Sequence, residues 1–301
     1  MSANTSSDHP RREVTPRAPS ADGKRPGAER RERIESEARQ SPSARIIHNA
    51  ILLEGDEELA RPTRALAWSG LASGLSIGFS FLAQALLADG LPDARWAHLV
   101  SAFGYSIGFL IVVLGRQQLF TENTLTPVLP WLHDMRWSVF RRVLRLWAIV
   151  LVTNIVGAFL FAWLLGLSDS FEEGVRTQLT AIGVTAISRS PWATLTGAIF
   201  AGWLIALMVW LLPFAEAARF WVVLVIAYLV GLGGFAHVIA GSSEVAYLVI
   251  HGDVSLLRYA RDFLLPALTG NVIGGVTLVA LLNHAQVTAG GDDEEYEPHR
   301  T

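Results

Sequence analysis

The chain has 301 residues, 51% hydrophobic and 17% charged, with ten tryptophans, no cysteine and a formal net charge of −3. Its mean hydropathy is +0.37. This composition excludes an ordinary soluble domain, a disulfide framework, a thiolate metal site and a thiol nucleophile, and so small a net charge gives no reason to expect a nucleic-acid partner.

From Met1 to Arg45 the sequence interleaves Arg11, Arg12, Arg30 and Arg31 with Glu13, Glu29, Glu32 and Glu35 and has no aromatic residue. Such a segment cannot bury enough apolar surface to offset the entropy of folding, so residues 1–45 read as a disordered cytoplasmic tail. It lacks the apolar core of a secretory signal. Residues 46–64, with Glu54, Asp56, Glu57 and Glu58, are expected to form an interfacial amphipathic helix. The membrane domain then covers 65–288, and 289–301, with Asp292, Asp293, Glu294 and Glu295, is a short acidic tail.

A helix needs roughly 20 apolar residues to cross the hydrocarbon core. Six regions meet this or come close, giving an all-α membrane protein. Ala65–Ala88, Leu146–Ser168, Pro191–Ala215 and Phe263–His284 read as intact spans. The second region, Trp96–Leu132, is interrupted by Arg116, Gln117 and Gln118 and later by Pro127 and Pro130. The fifth, Phe220–Ile250, is interrupted by Gly231, Gly233 and Gly234, then His237 and the run Gly241-Ser242-Ser243-Glu244. The breaks are expected near Gly115–Glu122 and Gly233–Glu244. Backbone that leaves the helix inside a bilayer must be satisfied by protein or by a wet cavity, so broken spans mark a pathway. Their places, second of the first three and second of the last three, predict two inverted three-helix repeats.

Arg136, Arg141, Arg142 and Arg145 follow the second span against Asp134 alone, which puts that loop and both termini in the cytoplasm. Gly70/Gly74/Gly78, Gly104/Gly108 and Gly270/Gly274 stand at the spacing that lets membrane helices approach closely.

Leu119-Phe120-Thr121 in the first break, Gly234-Phe235 and then His237 in the second, and Gly270-Asn271 with Gly274-Gly275 in the last span stand together at these places in a six-span chain. From about Ala65 to Asn283 the sequence resembles the formate/nitrite transporter family. The resemblance implies an aquaporin-like protomer in a homopentamer within the lipid bilayer, in a bacterial inner (plasma) membrane. It implies passage of small monovalent anions or their conjugate weak acids, with no cofactor and no metal. Thr121 should then face His237 across the break. Constrictions fall at Tyr105, Phe109, Ile205 and Val230, with Leu119, Phe120 and Asn271 also on the pathway.

The chain departs from the family pattern in several places. Arg116-Gln117-Gln118 replaces a Gly-small-acidic triplet, Glu122 a small residue and Ala236 a glutamate. Gly202 and Gly241 stand where the family has asparagines, and Arg189 is the cation nearest to a missing lysine at the fourth span. A full charge at Arg116 needs a partner in the bilayer. Glu122 and Glu244 are the carboxylates near the breaks, so an ion pair with one of them is expected, with an anion-attracting site at Arg116 or Arg189 as the alternative reading.

An anion concentrated in a vestibule becomes more basic as it loses water, takes a proton and can cross an apolar ring past His237 as the neutral acid. Two other classes remain open: an aquaporin-like channel for small uncharged solutes, and a non-transporting scaffold. A hydrolase built on Ser242 or Ser243 has no Gly-x-Ser-x-Gly elbow to support it.

Overall fold

The computed structural model describes residues 43–167 and 170–289. Apart from residues 43–45 and 289, the segments read as terminal tails lie outside the described residues. In chain order the helices are α1 (Ala44–Ala60), α2 (Thr63–Asp89), α3 (Ala97–Leu114), α4 (Val128–Asp134), α5 (Trp137–Leu167), α6 (Glu173–Ile187), α7 (Pro191–Phe214), α8 (Glu216–Gly233), α9 (Ala240–His251) and α10 (Leu256–Val287). No strand occurs among the described residues. α2, α3, α5, α7, α8 and α10 are the six helices long and apolar enough to cross a membrane. Only 22% to 47% of the apolar window of each is buried within the protomer, so the remaining apolar surface must be covered by lipid or by neighbouring copies.

The two halves of the chain repeat each other contact by contact. A Cβ on Gly74 of α2 would stand 2.1 Å from the Asn154 carbonyl oxygen, and one on Gly157 of α5 would stand 2.6 Å from the Leu71 carbonyl oxygen. In the second half a Cβ on Gly202 of α7 would stand 2.3 Å from the Asn271 carbonyl oxygen, and one on Gly274 of α10 would stand 2.1 Å from that of Ile199. Glycine therefore carries both helix crossings, as close backbone approach requires. One turn away the small residue changes sides. Gly70 faces Thr153, whereas Ala198, its counterpart, faces Gly270.

The breaks are also built alike. After α3, Arg116 adopts the left-handed conformation at φ 49°, its N–H donates to Val113 O and that of Gln117 to Val112 O. After α8, Gly234 does the same at φ 57°, with bonds to Gly231 O and from Phe235 N–H to Val230 O. Both are Schellman-type ends, whose bonds satisfy carbonyls that would otherwise be orphaned. The first break runs to Thr121, followed by a 3₁₀ turn at Glu122–Thr124 and the half-helix α4.

The second break is shorter than the sequence suggests. It ends at Ile239, and Gly241-Ser242-Ser243-Glu244 lies within α9. Packing holds this stretch in the helix: the Ser242 hydroxyl contacts Val238 O and the Tyr259 hydroxyl, and Gly241 makes room for the Phe263 ring.

Other elements differ as well. α5 begins at Trp137 rather than near Leu146, since arginines at its start interrupt the apolar run but not the helix. α1 ends at Ala60, because Pro62 already caps α2, and its face of His48, Ile51, Gly55 and Leu59 is buried on protein, Gly55 fitting against Thr126 O and Pro130. α6 was not anticipated. Val175, Leu179, Gly183 and Ile187 form one buried face on a helix too polar to resemble a span, packed against α2 and α9.

Candidate functional site

Two asparagines hold the broken spans in place. Asn154, buried in α5, accepts from Phe120 N–H at 2.9 Å and donates to Gln118 O at 2.9 Å and Gly70 O at 2.7 Å. Asn271, buried in α10, accepts from Val238 N–H at 2.8 Å and donates to Ala236 O at 2.9 Å and Ala198 O at 2.8 Å. A carboxamide supplies both an acceptor and two donors, so each one satisfies two groups of a break and one carbonyl of the neighbouring span. π-helical turns at Tyr259–Leu264 and Ile273–Leu281 flank the α-helical stretch that presents Asn271. The residue bracketed by the first clamp is Leu119, and the one bracketed by the second is His237. These two are counterparts in the repeat.

His237 meets the other break directly. Its Nε2 lies 2.6 Å from Thr121 Oγ1, and Ala240 N–H donates to its Nδ1 at 3.1 Å. A backbone N–H can only donate, so Nδ1 is the bare nitrogen and Nε2 carries the hydrogen, which it gives to Thr121. The Thr121 hydroxyl hydrogen is thereby free to be offered elsewhere. A second proton on the ring would have to displace the Ala240 bond.

A vestibule opens on each side of this pair. The Tyr105 vestibule, about 380 Å³, is lined by Tyr105, Val230, His237, Glu244 and Arg189. The Arg116 vestibule, about 340 Å³, is lined by Arg116, Gln118, Glu122, Arg219, Val113 and Val209. α3 runs from Tyr105 in the first to Val113 in the second, whereas α8 runs from Arg219 in the second to Val230 in the first. The repeats are thus inverted. Phe109 and Ile205 lie one helical turn from Val113 and Val209, are fully buried and line neither vestibule. They stand between the two, and the Phe109 ring meets His237 edge-on with centroids 5.0 Å apart. Tyr105 continues the aromatic row, 5.3 Å from Phe109. Phe120 turns away to pack edge-on against Trp147 of α5.

The expected ion pair is absent. Among the described residues, neither Glu122 nor Glu244 comes within salt-bridge distance of Arg116. The two carboxylates lie in opposite vestibules, which rules out Glu244, and Arg116 is itself solvent-exposed, so it has no need of a buried partner. Arg189 donates through Nη1 to Gly234 O at 2.6 Å. A guanidinium therefore stands at both break caps, by residue identity at Arg116 and by docking at Gly234. Cations there complement the negative end of each helix dipole.

The formate/nitrite transporter family model matches residues 45–285. The chain belongs to this family. It is 40% identical over 260 residues to the inner membrane protein YfdC of Escherichia coli K12, a match covering 86% of this chain and 84% of that protein. It is 27% identical over 237 residues to the formate channel FocA of the same strain, covering 69% and 80%. Among solved structures it is similar to a pentameric formate channel with formate bound, with a TM-score of 0.62 and 18% identity over 75% of this chain and 97% of that one. An FNT family ion channel gives a TM-score of 0.68 at 17% identity, covering 80% and 98%. At these identities the likeness is one of fold.

Within a formate/nitrite transporter protomer, the sequence indicates Thr121 and His237, places on the pathway an Asn271 that lines neither vestibule and instead clamps the second break, and misses Asn154 and the vestibule residue Arg219. Asn154 left one signal, an amide in the middle of an otherwise apolar span. Arg219 left none, because it sits at a span boundary where cations are ordinary.

Proposed function

We propose that the protein passes small monovalent anions of the formate/nitrite class, together with their conjugate weak acids, across a bacterial inner membrane. The observation that carries this reading is the 2.6 Å contact between Thr121 and His237, set in an apolar constriction that separates two vestibules. An anion that enters a vestibule sheds water against Phe109 and Ile205 and becomes more basic. It takes a proton and crosses as the neutral acid, with the Thr121 hydroxyl hydrogen and His237 Nε2 as the polar groups it meets on the way. Tyr105 and Val230 narrow the approach on one side, Val113 and Val209 on the other.

The assembly is a homopentamer with one pathway per protomer, a reading supported by the uncovered apolar surface of the spans and by the solved channel described as pentameric. Arg136, Arg141, Arg142 and Arg145 favour a cytoplasmic position for the α4–α5 connection and both termini, and with them the Arg116 vestibule. The test is flux into proteoliposomes carrying an interior pH dye, with formate, nitrite, hydrosulfide, lactate and glycerol. Weak acids should enter and acidify the lumen. Passage of glycerol alone would replace this reading with an uncharged-solute channel, and passage of nothing would leave a scaffold.

A further inference from the structure

Buried polar side-chain atoms ordinarily find partners. Three that lack one belong to residues lining the Arg116 vestibule: Gln117 Oε1, Glu122 Oε1 and Arg219 Nε. Among the described residues, none that lines the Tyr105 vestibule has such an atom. The unpartnered set comprises two acceptors and one donor. A small carboxylic acid offers one O–H donor, which serves one of the two acceptors, and one carbonyl acceptor, which serves the donor. Glu122 follows Thr121 directly in the chain, so it stands beside the constriction's own polar pair, where the family pattern has a small residue.

We infer that the Arg116 vestibule is a second site for the same weak acid, in which Glu122 takes up the proton that the acid carries through the constriction and Arg219 holds the anion left behind. This rests on the function proposed above. In the transfer the acid's O–H bond breaks, its electron pair stays on the substrate oxygen, and a new O–H bond forms on the Glu122 carboxylate. The acid becomes its anion and Glu122 becomes a neutral carboxylic acid. The charged and titratable groups lining this cavity are Glu54, Glu57, Glu58, Arg61, Arg116 and Arg219. Burial, reinforced by Glu58, holds the Glu54 carboxyl above the usual carboxylate range, against the opposing pull of Arg116 and Arg219. Glu54 lines the same cavity as Glu122, and this shared lining places it to take the proton onward to the aqueous mouth. For flux in the other direction the same steps run in reverse.

The test uses the full chain in proteoliposomes with formate as the probe and an interior pH dye. Glu122→Gln should slow proton-linked formate flux on the order of 100-fold, the scale of a general acid–base group, and flatten its pH profile. Glu122→Asp should restore most of the rate with a displaced pH profile. Arg219→Gln should raise the half-saturating formate concentration about tenfold at this face without changing the saturated rate. Wild-type rate and pH profile in Glu122→Gln, with the wild type carrying formate, would overturn the inference alone. If Glu122→Gln does not fold, an unchanged pH profile in Glu122→Asp overturns it equally. A wild type that carries none of the weak acids would remove the proposed function and this site with it.

Discussion

Arg116 occupies the position that Gly234 holds in the other half of the molecule: both end a helix in the left-handed conformation, at φ 49° and 57°, with matching capping bonds. Only glycine adopts this conformation without a steric penalty. Arg116→Gly should therefore stabilise the protein by about 1 kcal/mol, the scale of the left-handed penalty. Arg116→Ala keeps that penalty and breaks no ion pair, so its effect should stay within about 1 kcal/mol of wild type. Thermal unfolding in detergent checks both, and a large loss in Arg116→Ala would restore the case for a buried partner.

The exchanged small residues at the two crossings make a reciprocal test. A Cβ on Gly70 would stand 2.2 Å from Thr153 Oγ1. Gly70→Ala should destabilise by about 1–3 kcal/mol through overpacking. Adding Thr153→Gly recreates the Ala198–Gly270 arrangement and should recover most of the loss. Additive losses in the double variant would mean that the two crossings are not equivalent.

Removing the Asn154 carboxamide strands Gln118 O, Gly70 O and Phe120 N–H in a buried site, each worth about 1–3 kcal/mol. Asn154→Ala should lower stability sharply and disorder the Thr121 approach to His237. Asn154→Asp keeps the acceptor but, ionised, turns a buried carboxylate oxygen onto two carbonyl oxygens and should lower stability at least as much as Asn154→Ala. Asn271→Ala is expected to match Asn154→Ala, and a mild effect in either would argue against the paired clamps.

The six spans and the start of each break could be read from the sequence because lipid imposes a length and a polarity on every crossing. Arg116 and the glycines after Val230 interrupt that pattern visibly. The end of the second break could not be read the same way. Gly241-Ser242-Ser243-Glu244 has the composition of a loop, and only the Phe263 ring and the Tyr259 hydroxyl explain why it is helix. The pairing of Thr121 with His237 followed from family resemblance. The clamps followed from neither route, since nothing local tells Asn154 which distant carbonyls it will meet. The expected Arg116 pair failed because proximity to a break in sequence does not say which vestibule a carboxylate faces.

His48 of α1 lies 3.1 Å from His284, Nε2 to Nδ1. Burial holds His48 below the usual histidine range, and His284 and His133 beside it add to this, while a bond with Asn49 opposes it. A lowered folded-state pKa means that the unfolded state binds the proton first. The docking of α1 is then at full strength above the ordinary value of 6.5 and weakens as pH falls below it. Protection of the α1 amides, taken relative to the intrinsic exchange rate at each pH, should fall between pH 7.5 and 5, and His48→Gln should remove that fall. An equal fall in the variant would assign the effect to other groups.

The most direct test of the central claim is formate-driven acidification of proteoliposomes containing wild type or His237→Phe at matched protein content. Phenylalanine keeps an aromatic ring against Phe109 but cannot donate to Thr121 or accept from Ala240. Proton-linked formate flux that disappears in the variant, with thermal unfolding and oligomer mass unchanged, is the predicted result. Flux with the same rate and pH dependence as wild type would contradict it.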